Sequence, residues 1–182
     1  MKKLRLSYSL MSVWSKGRID DAVKLYLHQP LPTNKAMEDG KRIHKEIEEY
    51  IKSSKSLPPF FPKFELTAPL TEHKMLIPYN DRYDLSIVID CLDAPSLYEF
   101  KTGTSESNNW IGTDQIPFYF LAMKHAGIEV EKAYLLHYNQ YEKTSNWSML
   151  WNGQEELEKA TNLIESVAPE IYDYFSQNGL LQ

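Results

Sequence analysis

The sequence predicts an α/β fold, a central mixed β-sheet flanked by helices, and three observations lead there. Helical patterns fill the first third of the chain. Strand-like runs with hairpin punctuation then occupy residues 63–102, and a helix followed by a strand comes after them. Helices ahead of a strand cluster, with a later helix and strand returning to it, cannot bury their apolar faces except against a shared sheet.

Taken in order, Ser7 or Ser9 can cap a short helix reaching about Trp14, and a second helix runs from about Arg18 to Leu27, where His28-Gln29-Pro30 ends it. Pro32-Thr33-Asn34 is a loop. A helix from about Lys35 to Ser53 places Ile43, Ile47, Tyr50 and Ile51 at helical spacing, and residues 53–62 form a polar, proline-containing break. Strands are expected over Lys63–Ala68, Lys74–Pro78, Tyr83–Asp90 and Ser96–Thr102. A helix from about Trp110 to His125 follows, then strands Ala133–Asn139 and Trp147–Trp151, and a helical region Gln154–Phe175 that Pro169 should split or kink. Residues 1–182 read as one domain: N-terminal helices over 7–53, a sheet and helix over 63–139, and a C-terminal strand and helices over 147–177.

Composition fits a compact enzyme. A chain of 182 residues with 42% hydrophobic content can bury roughly 70% of the surface its unfolded form exposes. The single cysteine, Cys91, excludes a disulfide scaffold and suits a reducing, cytoplasmic compartment. Met1-Lys2-Lys3-Leu4-Arg5 is followed by Ser7-Tyr8-Ser9 and not by an apolar stretch, so it does not read as a secretory signal, and no run is long and apolar enough to span a membrane. A net charge of −5 argues against a protein that coats nucleic acid non-specifically.

The chemistry concentrates between Asp84 and Lys101. The apolar run Leu85-Ser86-Ile87-Val88-Ile89 is followed by Cys91-Leu92-Asp93-Ala94-Pro95-Ser96, which has the length and turn residues of a hairpin connection, so Asp84 and Glu99 are expected side by side. Glu99 and Lys101 share a strand face and Phe100 points the other way into a core. Two carboxylates about 4 Å apart repel by roughly 4 kcal/mol at an effective dielectric near 20. A hard divalent cation offsets this, and Mg²⁺ characteristically takes one or two protein carboxylates and completes its shell with water and phosphate oxygens. Lys101 then stands beside the position of an attacking water.

Five motifs in order resemble the PD-(D/E)XK nuclease superfamily and, within it, the RecB-like exonucleases that include CRISPR-associated members. They are Leu6-Ser7-Tyr8-Ser9 opening a helix; Gly40-Lys41-Arg42-Ile43-His44, similar to a Gly-x-x-x-His helix; Asp81-Arg82-Tyr83-Asp84, similar to a Gly-Arg-Ile-Asp strand entry; Tyr98-Glu99-Phe100-Lys101-Thr102-Gly103, similar to Asp-Tyr-Lys-Thr-Gly; and Asp114-Gln115-Ile116-Pro117-Phe118-Tyr119, similar to a Gln-x-x-x-Tyr helix. The chain departs from the pattern with Asp81 for glycine and Glu99 for the commoner aspartate.

The resemblance implies a restriction-endonuclease-like core and a Mg²⁺- or Mn²⁺-dependent deoxyribonuclease. Asp84 and Glu99 would be metal ligands, completed by the Phe100 backbone carbonyl and by His44. Lys101, Gln115 and Tyr119 would act beside them in catalysis. Lys16, Arg18, Lys41, Arg42 and Lys45 are candidate phosphate contacts, although the helix lysines serve equally well as a solvated face with Glu46, Glu48 and Glu49. Trp110, Trp147 and Trp151 could stack on bases but are assigned no role. Many RecB-like members hold an iron-sulfur cluster through four cysteines; one thiol cannot, so no such cluster is expected. The partner is DNA. No phosphate-binding Gly-x-x-x-x-Gly-Lys loop is present, so the chain would act alone, as a homo-oligomer or beside a separate helicase or recombination partner. The rival readings are a non-catalytic DNA-binding or assembly module of the same fold and a structure-specific endonuclease.

Overall fold

The computed structural model describes residues 2–103 and 113–181. The elements in chain order are β1 (Leu4–Leu6), α1 (Tyr8–Trp14), α2 (Ile19–Tyr26), α3 (Lys35–Ser54), β2 (Leu70–Pro78), β3 (Tyr83–Asp93), β4 (Ser96–Thr102), α4 (Gln115–His125), β5 (Lys132–Asn139), β6 (Thr144–Trp151) and α5 (Gln154–Gln177). They form a mixed sheet flanked by helices, as the α/β pattern requires. β3 is the hub. β2 runs antiparallel along most of its length, while β1 lies parallel to its first residues and β4 antiparallel to its last; β5 is then parallel to β4, and β6 antiparallel to β5.

Helices cover both faces because the strands bury both. Leu85, Ile87, Ile89, Leu97 and Ala133 join α1, α2, α4 and α5 in the larger core, where α4 buries every residue from Ile116 to Met123. Tyr98, Phe100, Tyr134 and Leu136 point the other way, onto Ile43, Ile47 and Ile51 of α3 and onto Leu57 and Phe61. The stripe foreseen on α3 is therefore its buried face. Asn34 caps this helix by accepting from the Met37 amide, and Ser7 caps α1 by accepting from the Leu10 amide.

Several expectations need correction. Leu4–Leu6 is a strand, fully buried at both leucines, because three residues of extended chain can fill the edge of β3 ahead of β4. Lys63–Ala68 is not a strand: Phe61 packs under α3 and Phe64 against Tyr98 and Tyr134, while the Asp93 carboxylate accepts from the Thr67 and Ala68 amides, so side chains hold this segment where a ladder was expected. β2 begins earlier, at Leu70. Pro169 does not split α5, which is a continuous helix held to the core through Ala168, Ile171, Tyr172 and Phe175. Trp110, placed at a helix start, lies outside the described residues.

Candidate active site

The site lies where β3 and β4 part company. The ladder between them runs only from Asp93↔Ser96 to Cys91↔Tyr98. One residue further, the Asp90 carboxylate reaches across and its Oδ2 accepts the Phe100 amide at 2.7 Å in place of a ladder bond. Side-chain alternation slips at the same point: Leu85, Ile87 and Ile89 enter the larger core, but Cys91 enters the α3 core. On the other side of β3, the β2 register pairs Thr71 with Cys91 and His73 with Ile89, and Glu72, between them, has a left-handed φ of 48°. Asp90 and Glu72 thus face each other across a distorted stretch of both strands.

His44 is brought to them by α3. Its Nδ1 is 3.8 Å from Asp90 Oδ1, and one ligand atom from each of His44, Glu72 and Asp90 lies within 4.8 Å of the others. Gly40 sits one turn earlier on the same helix face, and a Cβ there would meet Thr102 Oγ1 at 3.0 Å. A side chain at position 40 would push α3 away from β4, so the glycine of the Gly-x-x-x-His pattern sets how closely His44 approaches the sheet.

Glu99 and Lys101 project from β4 towards α4, on the face of Leu97. Glu99 Oε1 accepts from Lys101 Nζ at 2.6 Å and from Gln115 Nε2 at 2.8 Å. Lys101 Nζ also donates to Gln115 Oε1 at 2.9 Å; Gln115 Nε2 donates to the Tyr119 hydroxyl at 2.7 Å, which donates to the Val88 carbonyl at 2.9 Å. Gln115 opens α4 with Pro117 in its first turn, where the missing amide costs nothing. Gln115 and Tyr119, one turn apart, therefore fix the orientation of both Glu99 and Lys101.

Glu99 is buried, and its second oxygen, Oε2, has no hydrogen-bond partner among the described residues. Burial, and then the Asp90 charge, push its carboxyl up to about 7, against the pull of Lys101. His44 is moved by opposing effects: burial lowers it, but the hydrogen bond and charge of Asp90 outweigh that and leave it raised. The Glu72 and Asp90 carboxylates, within 4.8 Å of each other, repel by roughly 3 kcal/mol or more at an effective dielectric near 20. The geometry therefore suits a divalent cation: an imidazole and carboxylates converge from three elements, and the buried Glu99, on which the Asp90 and His44 charges act, keeps one carboxylate oxygen unpaired among the described residues.

Beside the cluster runs a cleft of about 890 Å³, lined by His44, Glu72, Lys41, Lys45, Lys74 and Thr102 among others. Lys45 lies 3.9 Å from Glu49; Arg42 pairs with Glu46 and Asp39, and Arg18 with Asp21, so these arginines serve helix surfaces, and Lys16 is simply exposed. Of the aromatic candidates, Trp147 and Trp151 are exposed on the edge strand β6, while Trp110 lies outside the described residues.

Glu99, Lys101, Gln115 and Tyr119 form one hydrogen-bonded cluster, His44 lies against Asp90, whose charge acts on Glu99, and the Phe100 side chain goes into the α3 core as its strand position dictates. The structure does not bring Asp84 there. Asp84 lies six residues up β3 from Asp90, roughly 20 Å at strand rise, where it pairs with Arg5 of β1 in register and its carboxylate accepts from Lys3 Nζ at 3.1 Å. The acid beside Glu99 is Asp90, because the hairpin turns at Ala94-Pro95, with Asp93 opposite Ser96. Counting outward from that turn would have found it: Asp90 ends the apolar run and falls opposite Glu99. Glu72 had no signal; Glu72-His73-Lys74 looks like any charged triplet.

The sequence matches no family model and no curated protein. Solved structures share its fold. An alkaline exonuclease from Laribacter hongkongensis is similar at a TM-score of 0.52 and 12% identity over 98% of this chain and 94% of its own. A putative exonuclease from Eubacterium rectale is similar at 0.66 and 10% over 98% and 83%. A phage-related exonuclease from Haemophilus somnus 129PT is similar at 0.54 and 11% over 90% and 83%. The restriction-endonuclease-like α/β core expected from the motif order is thus the observed architecture.

Proposed function

We propose that this chain is a metal-dependent nuclease that hydrolyses DNA phosphodiester bonds from strand ends, of the RecB-like branch of the PD-(D/E)XK superfamily. One observation carries the reading: Asp90, the orphaned Oε2 of Glu99 and the ammonium of Lys101 converge where β3 and β4 separate, with Gln115 and Tyr119 locking the last two in place. Asp90, Glu99, His44 and the Phe100 carbonyl would hold Mg²⁺ or Mn²⁺, Asp90 taking the part expected of Asp84. When bound, the cation supplies Lewis acidity to the phosphoryl group and makes bound water a stronger acid.

The chain's own groups account for the remaining chemistry. Lys101, held by Glu99 and Gln115, presents a fixed positive charge to the attacking water and the phosphate oxygens. Tyr119 keeps Gln115 from turning away. Lys41, Lys45 and Lys74 offer the backbone local positive charge in an otherwise acidic protein. The names of the structural neighbours point the same way, and the Laribacter hongkongensis exonuclease has been crystallised in complex with dAMP.

The test is a time course with Mn²⁺ or Mg²⁺ on end-labelled linear and covalently closed DNA, single- and double-stranded. Short products from linear DNA alone support the exonuclease. Nicked circles would replace it by an endonuclease, and DNA retention in a gel without products under either metal would replace it by a binding module.

A further inference from the structure

We propose that Glu72 is a direct ligand of the cation, so that α3, β2 and β3 all grip the metal before nucleic acid arrives. This deepens the nuclease reading and rests on it for what the cation does, but not for whether Glu72 binds one.

The geometry supplies the first argument. A carboxylate oxygen of Glu72, an imidazole nitrogen of His44 and a carboxylate oxygen of Asp90 lie within 4.8 Å of one another, so a single ion can touch all three after small side-chain rotations. Mn²⁺-sized ions bind oxygen and imidazole nitrogen at a little over 2 Å, and ligands around such a centre are necessarily closer to each other than about 4.5 Å. Asp90 of this group also acts on the buried Glu99, whose Oε1 holds Lys101 while its Oε2 has no partner among the described residues.

The backbone supplies the second. Glu72 holds φ at 48° within β2, a conformation that costs a branched-chain-free L-residue roughly 1 kcal/mol or more. Nothing in the protein repays that through the side chain: among the described residues the Glu72 carboxylate makes no hydrogen bond and no ion pair, and Asp90 and Glu48 are the charges that press on it most after burial. An acid twisted out of regular strand geometry towards a second acid and a histidine is arranged for a cation, not for the fold.

Charge then says what Glu72 changes. Asp90, Glu99 and Glu72 carry three negative charges against one on Lys101, so a dication brings the cluster close to neutral. Mg²⁺ suits one or two carboxylates and several waters, whereas three carboxylates and an imidazole favour a resident, tightly held ion of the Mn²⁺ type. Attraction of the phosphodiester then falls to Lys41, Lys45 and Lys74 along the cleft.

The experiment is a titration of the full chain with Mn²⁺ alone, free ion being read by electron paramagnetic resonance, for the wild type, Glu72→Gln, Glu72→Asn and Asp90→Asn. Asn tolerates the left-handed backbone, so a folding defect confined to Glu72→Gln leaves a usable variant. Both Glu72 variants should bind Mn²⁺ at least about tenfold more weakly, since ligand charge sets affinity at such sites, with unfolding in chelator unchanged or raised. Wild-type affinity in both would overturn the proposal, and if Asp90→Asn alone then lost the ion, the nuclease reading would survive without it. Weakened binding in the Glu72 variants of a chain that cuts no DNA would sustain the ligand and sink the nuclease. A wild type that binds no Mn²⁺ would end both.

Discussion

Replacing Glu99 by Gln should stabilise the metal-free protein while abolishing its activity. The Glu99 carboxyl is buried beside Asp90, and those two causes raise it from its ordinary 4.5 to about 7 despite Lys101. At roughly 1.4 kcal/mol per pH unit, that difference corresponds to about 3 kcal/mol. The sign follows from proton binding. Between about pH 4.5 and 7 the folded chain holds a proton that the unfolded chain has released, so this part of the stability is present in full below 4.5, is lost as pH rises to about 7, and stays lost above it. Gln mimics the protonated form, its Oε1 can still accept from Lys101 and Gln115, and its amide can face Asp90. At pH 8 in chelator, Glu99→Gln should therefore melt higher than the wild type by roughly 6 to 12 °C, taking about 2 to 4 °C per kcal/mol for a domain of this size, and near pH 4.5 the two should coincide. Differential scanning calorimetry across this range decides the matter. A variant that melts below the wild type at pH 8, or a gap that does not change with pH, would refute the placement of a desolvated carboxylate beside Asp90.

Four further outcomes follow from the same geometry. Asp90→Asn should lower DNA cleavage at least about a thousandfold by removing a charged metal ligand while its Oδ1 can still accept the Phe100 amide, as measured by product release from labelled DNA. Asp84→Asn should leave cleavage within about twofold, because its partly buried pair with Lys3 is worth about 1 kcal/mol and lies away from the fork; a large loss would return Asp84 to the site. Lys101→Ala should cut turnover by roughly a hundredfold or more with Mn²⁺ affinity retained, and retained turnover would remove Lys101 from the chemistry. Gly40→Ala should weaken metal binding several-fold by forcing α3 off Thr102, and adding Thr102→Ala should recover it; no recovery would mean that the glycine acts otherwise.

Much of this was legible in the chain because the relevant signals are local. The stripe Ile43, Ile47, Ile51 fixed the buried face of α3, period-two alternation fixed Glu99 and Lys101 opposite Phe100, and helical spacing put Gln115 below Tyr119. Illegible features depended on partners distant in sequence. The acid beside Glu99 turns on where the hairpin reverses, and a turn placed at Ala94-Pro95 selects Asp90, six residues beyond Asp84. Leu4–Leu6 becomes a strand only because β3 leaves an edge open ahead of β4, and Glu72 joins the cluster only because β2 and β3 are distorted at the same level. Residues 63–68 read as a strand because strands and side-chain anchors such as Phe64 use the same apolar residues; the backbone at Thr67 and Ala68 is held by the Asp93 carboxylate.

The claim that everything else depends on is that a divalent cation sits at the fork of β3 and β4. Crystals soaked in Mn²⁺ and measured at a wavelength where manganese scatters anomalously locate it directly. A peak is expected within coordination distance of Asp90, Glu99 and His44. A peak beside Asp84, or cleavage of DNA that persists in chelator with no peak at the fork, would contradict it.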